Sequence, residues 1–265
     1  MTVKALHRSL LFFAVLCLLF AVPQKTYAAD GNFNKSKAIT ITDKKCYKAT
    51  KKYTWIKYKP SADGYLTIKA SDISGGDTAA KGYLTLYDSA KSNALSSKSI
   101  FYNTKNSKNP YWYKITFGLQ KNQVYYIRVK ALNGVKLSYS YKKVNDKSGS
   151  SQAKALSVKK DKAKTGLIPA GSTNGDWYKI KISKKQKIKL YYKAKTSGSF
   201  RISIYSGNKR LGSRNVYYTD GYQKMTICQK NSSTGKTSGM NAGEYYLKIE
   251  KANSLSSGYY VIKWK

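Results

Sequence analysis

From Thr54 onward the chain alternates apolar and polar side chains with a period of two. It does so in Trp55-Ile56-Lys57-Tyr58, Leu66-Thr67-Ile68-Lys69, Tyr125-Tyr126-Ile127-Arg128-Val129, Ile188-Lys189-Leu190 and Tyr245-Tyr246-Leu247-Lys248-Ile249. Successive side chains of a strand point to opposite faces, so this alternation is the mark of half-buried β-strands, and helical periodicity is missing beyond residue 28. The predicted inward set of the first half is Ile56, Tyr58, Leu66, Ile68, Leu84, Leu86, Ile115, Phe117, Tyr125, Ile127, Val129, Leu137, Tyr139 and Tyr141. That of the second is Tyr178, Ile180, Ile182, Ile188, Leu190, Ile202, Ile204, Met225, Ile227, Tyr245, Leu247, Ile249, Tyr260, Ile262 and Trp264. Asp63-Gly64 is expected to join the first pair of strands tightly, and Gly207-Asn208 to turn the chain after Tyr205.

The pattern occurs twice. Trp55 to Lys69 runs without a gap against Trp177 to Tyr191, which divides the chain into sandwiches at 34–145 and 153–265. Between them, Asp146-Lys147-Ser148-Gly149-Ser150-Ser151-Gln152 is polar and without periodicity, a flexible linker over 146–152. The expected fold is all-β, two tandem jelly-roll-like antiparallel β-sandwiches of seven or eight strands each.

The amino terminus belongs to neither half. Lys4 and Arg8 precede an apolar run, Ser9 to Val22, that ends near Thr26-Tyr27-Ala28. This is the form of a secretory signal peptide, residues 1–28, and the run is short for a membrane span. The protein is therefore expected to be secreted, either released or retained at the bacterial cell surface, with the mode of retention left open. Removing Lys4, Arg8 and Lys25, with no acid, lowers the formal charge from +38 to +35. Such a charge selects polyanionic partners, and the predominance of lysine over arginine favours attraction over planar, bidentate readout.

Loss of the leader also removes Cys17 and His7. Cys46 and Cys228 remain, one in each half; they read as separate thiols, with pairing left open because spacing does not define connectivity. Without an imidazole the Ser-His-Asp and Cys-His mechanisms are excluded, and the usual zinc ligand sets are not available. No catalytic residue, metal site or cofactor is assigned, and the protein is read as a non-enzyme.

Short motifs on the strands carry a resemblance. In the second half these are Gly175-Asp176-Trp177-Tyr178, Ile202-Ser203-Ile204-Tyr205, Ala242-Gly243-Glu244-Tyr245-Tyr246-Leu247-Lys248-Ile249 and Ser257-Gly258-Tyr259-Tyr260. In the first they are Trp55, Leu84-Thr85-Leu86-Tyr87-Asp88 and Val124-Tyr125-Tyr126-Ile127-Arg128-Val129, with Thr54 in place of Asp176. Both halves resemble bacterial pre-peptidase C-terminal domains. The resemblance implies a β-sandwich with an extracellular accessory role, beside secreted peptidases or in binding collagen or polysaccharide, although this chain carries no catalytic domain. Some such relatives hold calcium. Here only Asp72, Asp77 and Asp88 lie near one another, a sparse set for an ion that prefers six to eight oxygens.

The strand assignment leaves Trp55, Tyr65, Tyr83, Tyr87, Trp112 and Tyr126 facing solvent in the first half, and Trp177, Tyr191, Tyr205 and Tyr246 in the second. Lys57, Lys179 and Lys248 share these faces. Flat rings beside cationic donors suit sugar rings that carry negative charge. Aromatic residues also serve strands structurally, as cross-strand partners and by β propensity. Three functional classes fit. The first is a binding or adhesion module for an anionic polysaccharide, cell-wall polymer or host matrix protein. The second is an extracellular nucleic-acid binder, and the third a structural accessory in secretion or display.

Overall fold

The computed structural model describes residues 35–41, 47–49, 53–71, 81–88, 93–101, 114–131, 135–230 and 233–265. Residues 1–28, Cys46, Asp72, Asp77 and Trp112 lie outside them. In the first half a 3-10 turn, Lys35–Lys37, precedes β1 (Ile39–Thr40), β2 (Tyr47–Ala49), β3 (Tyr53–Tyr58), β4 (Gly64–Ser71), β5 (Lys81–Asp88), β6 (Ser96–Phe101), β7 (Lys114–Leu119), β8 (Tyr125–Ala131) and β9 (Val135–Lys143). The second half holds β10 (Leu156–Ser157), β11 (Lys164–Ile168), β12 (Asp176–Ile182), β13 (Ile188–Thr196), β14 (Phe200–Ser206), β15 (Lys209–Val216), β16 (Gln223–Ile227), β17 (Gln229–Lys230), β18 (Thr237–Ser238), β19 (Gly243–Lys251) and β20 (Gly258–Trp264).

Each half is a sandwich of a five-stranded and a four-stranded sheet. In the first the orders are β1-β3-β8-β5-β6 and β2-β9-β4-β7; in the second, β10-β12-β19-β14-β15 and β11-β20-β13-β16. The two pairs of orders match strand for strand. Pairing is antiparallel except at one edge of each five-stranded sheet, where β1 runs parallel to β3 and β10 parallel to β12. The purely antiparallel expectation is corrected there.

Alternation places the predicted inward residues in two cores. Leu66, Ile68, Phe117, Ile127 and Val129 are fully buried in the first, as are Tyr178, Ile180, Leu190, Leu247 and Ile262 in the second. Tyr139, Tyr141 and Met225 are only partly buried against them. Each fully buried aliphatic or Phe side chain contributes about 1.5–3 kcal/mol of transfer free energy. The buried Trp264 indole of the second core donates to Val158 O at 2.6 Å. Gly207, at φ +51°, turns the β14–β15 hairpin as expected. Asp63-Gly64 does not close a hairpin. β3 and β4 lie in opposite sheets, so the connection crosses between layers, with the Asp63 carboxylate accepting from Lys121 N at 2.7 Å.

The sandwiches are docked. Tyr65 stacks on Tyr259 with ring centroids 4.0 Å apart, and Ala170, buried in the first core, donates its N–H to Gly118 O at 2.8 Å. Ser96, Ser197 and Ser257 form a buried hydroxyl cluster, with Ser96 donating to Leu255 O at 2.6 Å. Residues 146–152 are not the free coil that their composition suggests. Asp146 accepts from Ser148 N and Leu167 N, each at 2.8 Å, Ser148 donates to Asp176 at 2.8 Å, and Gly149 exchanges backbone hydrogen bonds with Trp177. Backbone donors supplied by the second sandwich hold these residues in place.

Lys98 points inward from edge strand β6, opposite Leu84, and is only 9% exposed. Its ammonium donates to Lys114 O at 3.3 Å, and burial lowers its pKa to about 7. The charged form is disfavoured by the fold, so the penalty is complete below about pH 7 and fades as pH rises toward the unfolded value. Lys98→Met, which keeps the stem and removes the charge, is expected to stabilise the protein by roughly 2 kcal/mol at neutral pH. Thermal melting at pH 7 checks this; a lower melting temperature would mean that the ammonium is a net stabilising contact.

Candidate functional site

The shared topology carries a shared constellation on the outer face of each five-stranded sheet. On the first, Trp55 of β3 lies opposite Arg128 of β8, which lies opposite Thr85 of β5; the next row is Lys57, Tyr126 and Tyr87. On the second, Trp177, Lys248 and Ser203 form one row and Lys179, Tyr246 and Tyr205 the next. Tryptophan meets tyrosine the same way on both faces. Trp55 and Tyr87 have centroids 5.3 Å apart at 48°, and Trp177 and Tyr205 5.2 Å apart at 43°.

Cations sit on these rings. Arg128 lies 5.5 Å from the Tyr87 ring and 5.9 Å from those of Trp55 and Tyr53. Tyr126 has the Lys35 and Lys57 ammonium groups at 4.9 and 5.9 Å, and Lys130 is 5.8 Å from Tyr83. On the second face Lys248 is 5.6 Å from Trp177 and pairs with Glu250 at 2.6 Å. A cation over a ring gains about 0.5–1 kcal/mol at an exposed site, so these rings hold the charged heads in place. The surface is a layer of fixed cations on aromatic supports rather than a bare stacking platform.

That arrangement corrects part of the predicted face. Tyr87 lies on the correct side but is only 8% exposed, covered where Trp55 and Arg128 meet it. Tyr65 is on the four-stranded sheet and is taken up by Tyr259; burial, together with the Tyr259 hydroxyl, raises its phenol pKa. Tyr191 likewise lies on the other sheet of its sandwich, with Lys263 and Lys265 at 5.8 and 5.7 Å. Trp55, Lys57, Tyr83 and Tyr126 share one face; Trp177, Lys179, Tyr205, Tyr246 and Lys248 share the other.

The second face runs into a basic cleft of about 490 Å³, lined by Lys159, Lys160, Lys179, Lys181 and Lys184 beside Glu244. Its one internal acid contact is Lys179 to Glu244 at 3.5 Å. The candidate face did not include Lys159, Lys160, Lys184 or Arg128. Arg128 was legible, because the Trp55 and Tyr125–Val129 strands alternate in phase; the loop lysines were not, because periodicity does not bring loops together.

Among the described residues no three of His, Cys, Asp and Glu gather as a metal site would require. Cys228 carries a free thiol. No described helix is long and apolar enough to cross a membrane.

No family model and no curated protein matches the sequence. Among solved structures the chain is similar to the pre-peptidase C-terminal domain of collagenase from Bacillus anthracis, at 11% identity and a TM-score of 0.32, covering 42% of this chain and 93% of that one. It is also similar to tripeptidyl peptidase 2, at 11% identity and a TM-score of 0.28 over 86% of this chain and 24% of that one. A third similar structure is the CUB1-EGF-CUB2 fragment of human MASP-1/3, at 8% identity and a TM-score of 0.22 over 80% and 93% of the two chains.

Proposed function

We propose that this is an exported, non-catalytic adhesion module that binds an anionic polysaccharide or cell-wall polymer along the outer faces of its five-stranded sheets. The observation that carries the reading is the duplicated row of Trp, cation and Tyr, continued on the second face by the five-lysine cleft. A flexible polyanion binds poorly to mobile lysines, because each side chain must be ordered on contact. Ammonium and guanidinium groups already seated on rings avoid much of that cost. In the same reading the sandwiches are tandem domains of the pre-peptidase C-terminal type, supported by short motifs that recur on equivalent strands. Residues 1–28 direct export.

The test is retention on immobilised anionic cell-wall polymer and on a neutral glucan, at about 50 and 500 mM salt, since screening shortens the reach of exposed charges. Trp55→Ala with Trp177→Ala is expected to lower affinity for the anionic polymer roughly tenfold, through lost ring contacts on both faces. Lys179→Gln with Lys181→Gln should weaken it further and flatten its salt dependence. Equal retention of the double tryptophan variant would show that net charge alone holds the polymer, and the proposed faces would be wrong. Preference for single-stranded DNA over the glycan polymers would favour the nucleic-acid reading instead.

A further inference from the structure

The two sandwiches match strand for strand, yet they differ at one edge. In the first, the edge between β6 and β7 is closed by the second sandwich: Ala170 bonds Gly118, Leu95 packs on Gly171, and Ser96 bonds Ser197. Leu95 is 8% exposed as a result. The equivalent edge of the second sandwich, between β15 and β16, opens instead onto a cavity of about 660 Å³. Leu211, which stands where Leu95 stands, is 42% exposed there.

The cavity reaches the core. Its floor is Ile204, Met240, Tyr245 and Leu247, all buried residues of the second core, and its rim carries Lys209, Arg210 and Lys230. The first edge has Asn93-Ala94 where this one has Lys209-Arg210. Gly212 lies opposite Ile204 on the inward side of β15, and a Cβ built there would meet nothing within 4 Å, so the position has room for a larger side chain. A volume in the range of small-molecule sites, with an apolar floor and cations only at the entrance, suits an aliphatic chain that ends in an anion.

A second copy of this chain, docked as the two halves dock, does not fit the same edge. That docking brings Ile168 O within 2.4 Å of where a Gly118 Cβ would stand, and the equivalent residue in the second sandwich is Cys228. Cysteine fills the space that the close backbone approach requires.

We propose that the open edge between β15 and β16 is a binding site for a free long-chain fatty-acid anion, its chain on Ile204, Met240 and Leu247 and its carboxylate at Arg210 and Lys230. The site is separate from the polymer-binding faces, so either assignment can fail alone.

Calorimetric titration of the purified protein with dodecanoate, with butanoate and dodecyl maltoside as comparators, tests this. One dodecanoate is expected to bind per chain, far more tightly than either comparator. Gly212→Phe, which fills the cavity without changing charge, is expected to weaken binding roughly tenfold, as loss of the apolar contact area requires, with the melting temperature unchanged. Arg210→Ser with Lys230→Ser, at exposed positions that leave the fold intact, should reduce dodecanoate affinity but not binding of the uncharged detergent. Unchanged dodecanoate binding by Gly212→Phe, or butanoate binding equal to dodecanoate, would overturn the site in favour of general charge attraction. Self-association by light scattering that Gly212→Phe abolishes would overturn it in favour of a second copy.

Discussion

Gly118→Ala is expected to separate the two sandwiches while leaving each one folded. Gly118 lies near the end of β7, and a Cβ there would stand 2.4 Å from Ile168 O and 3.0 Å from both the N and the O of Gly258. All three are backbone atoms, so no side chain can rotate away. The opposing Gly258 is itself fixed at φ +145°, and a Cβ there would meet Lys195 O of the neighbouring strand β13 at 2.1 Å, so its backbone has little room to yield. Relief requires the interface to open by an ångström or more, which breaks the Ala170 to Gly118 hydrogen bond and the Tyr65–Tyr259 stack together. Overpacking and loss of these contacts is expected to cost about 3 kcal/mol or more at the interface. The separate cores should survive, because neither depends on Gly118 for its inward set. Small-angle scattering should show a longer particle and calorimetry two transitions in place of one. Residues 146–152 should stay protected from protease, because their hydrogen bonds run to the second sandwich and do not cross the opened contact. An unchanged scattering profile and a single transition would mean that the interface gives way without separating, and that the docking does not rest on this contact.

The sequence announced the cores and hid the contact between them, for a physical reason. Period-two alternation reports which face of a strand is inward, and it placed Ile56, Leu66, Leu190 and Ile262 correctly. It does not report what covers the other face, so Tyr65 read as exposed although Tyr259 lies on it. Edge strands were harder. β6 and β15 are polar and carry cations, the buried Lys98 and the exposed Arg214, at equivalent positions opposite Leu84 and Ile202. Charge on an edge is a common protection against unwanted pairing, and it erases the apolar signal on which strand recognition depends. The two-residue strands β1 and β10 are too short to show any period. The candidate faces fared better because both depend on register along long strands. Trp55 and Trp177 align without a gap, and that alone brought Lys57 with Tyr126 and Lys179 with Tyr246 into corresponding rows. Tyr87 was read on the correct side but as exposed, since its cover comes from neighbouring strands.

Raising the pH from 5 to 8 is expected to destabilise the protein through Asp176, and Asp176→Asn should remove that loss. The carboxyl lies where residues 146–152 meet the second sandwich, accepting from Tyr260 Oη at 2.5 Å and from Ser148 Oγ at 2.8 Å, with the Tyr178 hydroxyl 2.8 Å beyond Tyr260. Burial, reinforced by the Asp146 carboxylate, raises its pKa to about 7, against the lowering effect of the two hydrogen bonds. In the unfolded chain it titrates near the ordinary carboxylate value, so between about pH 4 and 7 the folded state binds the extra proton. Stability is therefore greatest below that window and falls as pH rises through it, by roughly 2–4 kcal/mol in all. Lys98 and Lys251, lowered by burial to about 7 and about 8, act in the opposite direction and mostly above this window, so the slopes can be separated. Asparagine keeps an oxygen for Tyr260 while carrying no charge. Its melting temperature should be nearly flat from pH 5 to 7 and higher than that of the parent at pH 8. Because Asp146 loses a like-charged neighbour in the same variant, protection of the Leu167 amide from hydrogen exchange at pH 8 should increase. A parental pH slope that persisted in Asp176→Asn would place the titrating group elsewhere, and a lower melting temperature at pH 8 would show that the carboxylate is stabilised by its hydrogen bonds more than burial disfavours it.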